Sequence, residues 1–141
     1  MQSPCSLCFQ VASNPFKHKQ IMLIQEHQPA SACHIGHYQR GQIEIDGYIY
    51  HQAVLLDGSG SVQTVNLPSA AELQASDLAR AAASEPEVIL IGTGERQQFL
   101  HPRIAAAASG IGVECMHTAA AVRTYLLLQS EGRRVWAWLW L

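Results

Sequence analysis

The sequence has no surplus of charge of either sign. Nine Lys and Arg stand against eleven Asp and Glu, a formal net charge of −2, with no acidic or basic block. Affinity for nucleic acid rests on neutralising phosphates, and this balance gives it no support. Long apolar runs are missing too. The closing VWAWLWL, Val135 to Leu141, is only a strand's length, far short of the about 20 residues a membrane-spanning helix needs. The N-terminus has no extended apolar h-region of the kind that marks a secretory signal. These absences lead us to expect a cytoplasmic protein that is not integral to a membrane, with its four cysteines as thiols. Complete catalytic signatures are lacking as well. There is no G-K-[ST] phosphate loop and no G-x-S-x-G elbow, and Ser59 between Gly58 and Gly60 reads as a hairpin tip.

Hydrophobic residues make up 48% of 141 and charged residues 14%. A chain of that size and composition buries a full core without staples. Residues 1–21 show no sustained periodicity and contain Pro4 and Pro15, so they read as an extension that is poorly ordered, ahead of a single domain over 22–141. Met22 to Ile24 is a short apolar run with the look of an edge strand. Ile43 and Ile45 alternate with polar residues, and Asp46-Gly47 is a hairpin turn in which both positions favour positive φ. Tyr48 to His51 returns, Ala53 to Leu56 continues, Asp57 to Gly60 turns, and Val62 to Val65 pairs back. This half is expected to be an antiparallel β-meander.

The period then changes. Ser69-Ala-Ala-Glu72 has the form of a capping box, opening a helical stretch to about Ala83 that breaks near Ser76 and stops at Glu85-Pro86. From there strands and helices alternate. Val88 to Ile91 is a strand; Pro102 suits the first turn of a helix to about Ser109; Val113 to Met116 is a strand. Thr118 is placed to cap a helix that ends at Gly132, and Val135 to Leu139 is the last strand.

The Gly92-Thr93-Gly94 exit poses the functional question. A dinucleotide fingerprint needs a third glycine at the start of a helix, and Gln97 stands there instead. The alternative is a tight strand exit in which glycine permits positive φ and close backbone approach. Crevices of open α/β sheets form outside the carboxyl ends of strands. Two such ends occur here, at Gly92-Thr93-Gly94 and Met116-His117-Thr118.

Three stretches taken together, GHYQRGQIEIDGYIYHQAVLL, ILIGTG and GIGVECMHTAAAVRTYLLLQSEGRRVWAWL, resemble the Mth938-like family, a domain of unknown function. Its mitochondrial branch includes an assembly factor for respiratory complex I. The resemblance covers most of Ile35 to Leu141. It implies a three-layer α/β fold with a central mixed β-sheet and no assigned catalytic activity. Arg123, Thr124 and Tyr125 match the family pattern. His117 stands where the family usually has Asp, and Leu126 where it usually has Asn, so a mechanism that needs that carboxylate does not carry over.

Arg123, in the apolar helix AAAVRTYLLL, is the charge of most interest. It either meets an anion near the helix start or forms a structural pair with Glu114. His117 and Thr118 precede it beside unpaired helix N–H groups, where His117 offers an acid/base group. Cys5-x-x-Cys8 with Cys33 and His34 or His37 has the residue types of a zinc site. The first pair lies in the N-terminal extension and outside the resemblance, so no metal and no cofactor are expected. Cys115 reads as an inert core thiol. Trp136, Trp138 and Trp140 share one side of the last strand. They are either covered by helices or exposed as an aromatic patch for another chain.

The expectation is a non-enzymatic binding or assembly factor. Gly92, Thr93, Gly94, His117, Thr118, Arg123 and Thr124 would form its contact surface at the strand ends, and no residue is assigned a catalytic role. The partner would be a protein, such as a membrane-complex subunit or assembly machinery. A small-molecule enzyme or sensor taking an anionic ligand in the same crevice is the alternative, and a homodimer through an apolar strand edge is a further option.

Overall fold

The computed structural model describes residues 32–141. The apolar run Met22–Ile24, the Cys5/Cys8 pair and the extension over 1–21 lie outside those residues.

The first three strands form a small antiparallel sheet, β1 (Ile35–Gln39), β2 (Gln42–Ile45) and β3 (Tyr48–Tyr50) in that spatial order. Asp46 and Gly47 both take positive φ, 52° and 87°. This is the two-residue turn whose twist matches a hairpin. It sets the register Ile45↔Tyr48 and Ile43↔Tyr50.

The expected meander divides at this point. After β3 the chain leaves the small sheet, and β4 (Val54–Leu56) and β5 (Val62–Thr64) enter a second one. Its order is β5-β4-β8-β6-β7, completed by β6 (Val88–Thr93), β7 (Gly112–Met116) and β8 (Val135–Trp140). β8 lies at the centre, antiparallel to β4 and parallel to β6. β6 and β7 run parallel. Alternation could not separate the two hairpins into two sheets, because each obeys the same local rules.

Both faces of the five-stranded sheet are buried, which explains its unbroken apolar strands. Val135, Ala137 and Leu139 of β8 join Leu90, Val54 and Leu56 on one face. There they meet Ile35, Ile43 and Ile45 of the small sheet and Ala121, Val122 and Tyr125 of α3 (Thr118–Ser130). On the opposite face Trp136, Trp138 and Trp140 join Ile89, Ile91 and Leu55. Leu78 and Ala81 of α1 (Ala75–Ala83) and Ala108 after α2 (Pro102–Ala106) cover them. The result is a three-layer mixed α/β fold. All three tryptophans are buried, so the exposed aromatic patch entertained from their spacing does not exist. Helices occupy that face.

Three local expectations also change. Ser69 precedes only a single 3₁₀ turn, Ala70–Glu72, and makes no side-chain cap. The capping box is Gln74 with Asp77, and it opens α1. His117 caps α3, while Thr118 is its first residue and is buried. The helix begun by Pro102 ends at Ala106, before the turn to Gly110.

Candidate functional site

The two strand exits do converge. Gly92 and Met116 are register partners at the parallel ends of β6 and β7. Beyond them the chains are tied to each other. The Thr118 N–H donates to the Gly94 carbonyl at 2.9 Å. The Gly94 N–H donates back to Thr118 Oγ1 at 2.8 Å. That hydroxyl donates in turn to the Trp140 carbonyl at the end of β8. Thr93 Oγ1 donates to the Arg96 carbonyl at 2.6 Å and accepts from the Gln98 N–H at 3.1 Å. Two threonine hydroxyls thus join three strand ends and the loop after β6. Several of the amides that sequence alone left free at this rim have internal partners.

The glycines divide the two tasks of a tight exit. A Cβ on Gly92 would lie 3.0 Å from Leu139 Cδ2, 3.0 Å from Thr118 Oγ1 and 3.1 Å from Ala121 Cβ. Hydrogen is what lets α3 settle on β6 there. Gly94 has φ 93°, the left-handed region, with open space around it.

His117 stands at the head of α3 with its ring exposed. Its Nδ1 accepts from the Ala120 N–H at 3.3 Å, so the neutral ring carries its proton on Nε2. The aspartate that the family resemblance leads one to expect at this position is a preferred N-cap. Histidine supplies the same acceptor without the negative charge.

Arg123 lies in the second turn of α3 and is exposed. The ion pairs among the described residues are Arg40–Glu95, Arg133–Glu87 and Arg133–Glu131. Arg123 takes part in none of them, so the structural pair with Glu114 is not formed. Instead Arg123 borders a groove of about 290 Å³ between β1 and α3. Ile35, Gly36, His37 and Tyr38 line one wall, and Ala119, Val122, Arg123 and Leu126 the other. Thr124, on the adjacent side of the helix, sits 3.6 Å from Met116 Sδ.

Of the sequence-selected residues, Gly92, Thr93 and Thr118 are therefore turned into the molecule. Gly94 and Thr124 are half-buried, and His117 and Arg123 face outward. The β1 wall was not legible, because nothing local says that β1 packs beside a helix some 80 residues later. The one trace is chemical. Gln129 is a polar residue following the apolar run Tyr125–Leu128 of α3, and its Nε2 donates to the Cys33 carbonyl just ahead of β1.

No group of three His, Cys, Asp or Glu among the described residues is arranged to hold a metal ion. Burial pushes the Cys33 thiol up to about 11, with Asp46 and Asp57 adding to the effect, and it raises the Cys115 thiol as well. Neither is an activated nucleophile. No helix among the described residues is long and apolar enough to cross a membrane.

A three-layer mixed α/β domain, with one small antiparallel sheet laid beside a helix over a five-stranded sheet, defines a recognisable class. A family model described as a protein of unknown function (DUF498/DUF598) matches residues 35–140, and the chain belongs to that family. A crystal structure of a Bordetella parapertussis protein is 39% identical, covering 79% of this chain and 98% of that one, with a TM-score of 0.71. A solution structure from Bordetella pertussis, described as a Mth938-like domain, is 32% identical over 79% of this chain and 87% of that one, with a TM-score of 0.66. A Francisella tularensis relative called a 13 kDa major membrane protein is 28% identical over 118 residues, 82% of this chain and 96% of its own length.

Proposed function

We propose that this protein is a non-enzymatic binding or assembly factor that takes a segment of a partner protein in the groove between β1 and α3. One observation carries the reading. Arg123, a guanidinium that pairs with no carboxylate among the described residues, stands on the rim of a groove whose walls include Ile35, Val122 and Leu126. That arrangement suits an extended or helical segment with apolar residues and one carboxylate, for which Arg offers a two-pronged donor. Gly94 and His117 flank the head of the same helix, with Thr124 midway along it against Met116, and extend the contact toward the strand exits. The hydrogen bonds that already occupy the Gly94 and Thr118 amides count against the alternative, an anionic small molecule or an enzyme's substrate held at those exits.

The partner we favour is a subunit of a membrane complex or its assembly machinery, met from the cytoplasmic side. The membrane name of the Francisella relative supports this choice. The test is affinity capture from the native host with the full chain, with Arg123→Glu, and with Arg103→Glu as a remote charge control. Partners held by the wild type and by Arg103→Glu should be lost by Arg123→Glu, whose far-UV spectrum and melting temperature stay unchanged. Retention of every wild-type partner by Arg123→Glu would overturn the reading.

A further inference from the structure

The groove uses one margin of the small sheet, and among the described residues the other margin is open. β3 ends the sheet, and among the described residues no strand pairs with its outer edge. Its side chains are apolar and unusually bare, with Tyr48 70% and Ile49 54% exposed. Apolar strand edges of this kind are what folded proteins normally cover or charge.

The direction of the free backbone groups follows from the turn. In a two-residue hairpin the flanking pair, here Ile45 and Tyr48, exchanges both hydrogen bonds. Alternation then turns the N–H and C=O of Ile49 away from β2. The triplet Tyr48-Ile49-Tyr50 reads the same in both directions. An antiparallel pairing of two copies about a two-fold axis at Ile49 therefore sets Ile49 against Ile49 of the second copy. Each donates its N–H to the other's carbonyl. Tyr48 of one copy faces Tyr50 of the other, twice. Tyr48 and Tyr50 lie on the same sheet face as the buried Ile45 and Ile43, so the pairing continues that apolar face across both copies. No like charges are brought opposite one another.

The other edges suit self-pairing less well. β1 faces the groove and α3. β5 is polar at its exposed positions, Gln63 and Thr64. On β7 a two-fold axis at the central residue would oppose Glu114 to itself, and Gln97 Nε2 already donates to the Cys115 carbonyl at 3.0 Å. We infer that β3 is a homodimerisation edge, joining the small sheets of two copies of this chain into one antiparallel six-stranded sheet. Isologous contacts of this kind are the usual route to dimers. The single short strand makes the contact a reversible one.

Sedimentation equilibrium on the full 141-residue chain tests this. The wild type should show a concentration-dependent monomer–dimer equilibrium. Ile49→Pro removes the outward N–H without touching the bonds to β2, and should weaken the dimer by about tenfold or more. Ile49→Lys and Ile49→Glu should each be monomeric alone, because like charges then face each other, and should associate when mixed. Circular dichroism of each variant shows that the fold is kept at this exposed position. A wild type that stays monomeric at every attainable concentration would overturn the inference. So would a dimer indifferent to all three substitutions, or a mixture of the Lys and Glu variants that associates no better than either alone. Arg123→Glu should leave the equilibrium unchanged, which separates this surface from the proposed partner groove.

Discussion

Thr118 shows how one side chain can close a rim that looks open in the sequence. Its hydroxyl accepts from the Gly94 N–H and donates to the Trp140 carbonyl, and the residue is fully buried. Thr118→Val keeps the shape and removes both bonds. It leaves a buried donor and acceptor unpaired, and should cost about 1–3 kcal/mol in urea unfolding, with Thr118→Ser losing less. Gly92→Ala places a methyl against Thr118 Oγ1 and Ala121 Cβ at 3.0 and 3.1 Å. It should cost a similar amount, about 1–3 kcal/mol, through overpacking. If either variant unfolds at the wild-type urea midpoint, the stitched rim is not what holds β6 to α3. The glycine pair was legible in the sequence as a tight exit. Its closure was not, since a threonine in the sequence does not say which carbonyl its hydroxyl will find.

At the scale of elements, capping separates two sites that look alike in the sequence. Ser69 with Glu72 fits the capping pattern but heads only a 3₁₀ turn with no side-chain bond. Gln74 and Asp77 make the reciprocal pair, with Asp77 accepting from the Gln74 N–H at 2.9 Å. Asp77→Ala should therefore lower stability by about 0.5–1.5 kcal/mol, while Ser69→Ala should leave the melting temperature where it was. Equal losses at the two positions would mean that the cap was misplaced. The elements of the second half were legible because helix and strand periods alternate cleanly between Pro86, Gly110 and Gly132. The division of the first half between two sheets was not. It is decided by β4 pairing with β8 across more than 80 residues, a contact that no local period encodes.

Across the whole molecule, Cys33 ties the two sheets to α3. Its carbonyl accepts from Tyr125 Oη at 3.4 Å and from Gln129 Nε2, and its Sγ lies 3.6 Å from the Ser61 carbonyl beside β5. Burial holds the thiol neutral and pushes it from 9.0 up to about 11. It raises the Tyr125 phenol too, with the charges of Cys33 and Asp46 adding to the effect. A raised folded-state value means that the unfolded chain loses its proton first. The stabilisation is complete below the unfolded value and is lost as pH climbs through the folded one. The urea midpoint should therefore hold steady up to about pH 9 and fall between about 9 and 11. Cys33→Ala should flatten that fall without abolishing it, because Tyr125 still resists ionising. The three tryptophans all lie in β8, the strand both core layers share, so their emission reports the loss of the whole fold. A midpoint in Cys33→Ala that declines as steeply as the wild type over that range would place the alkaline sensitivity elsewhere. A decline that begins well below pH 9 would mean that the thiol is not held neutral by burial.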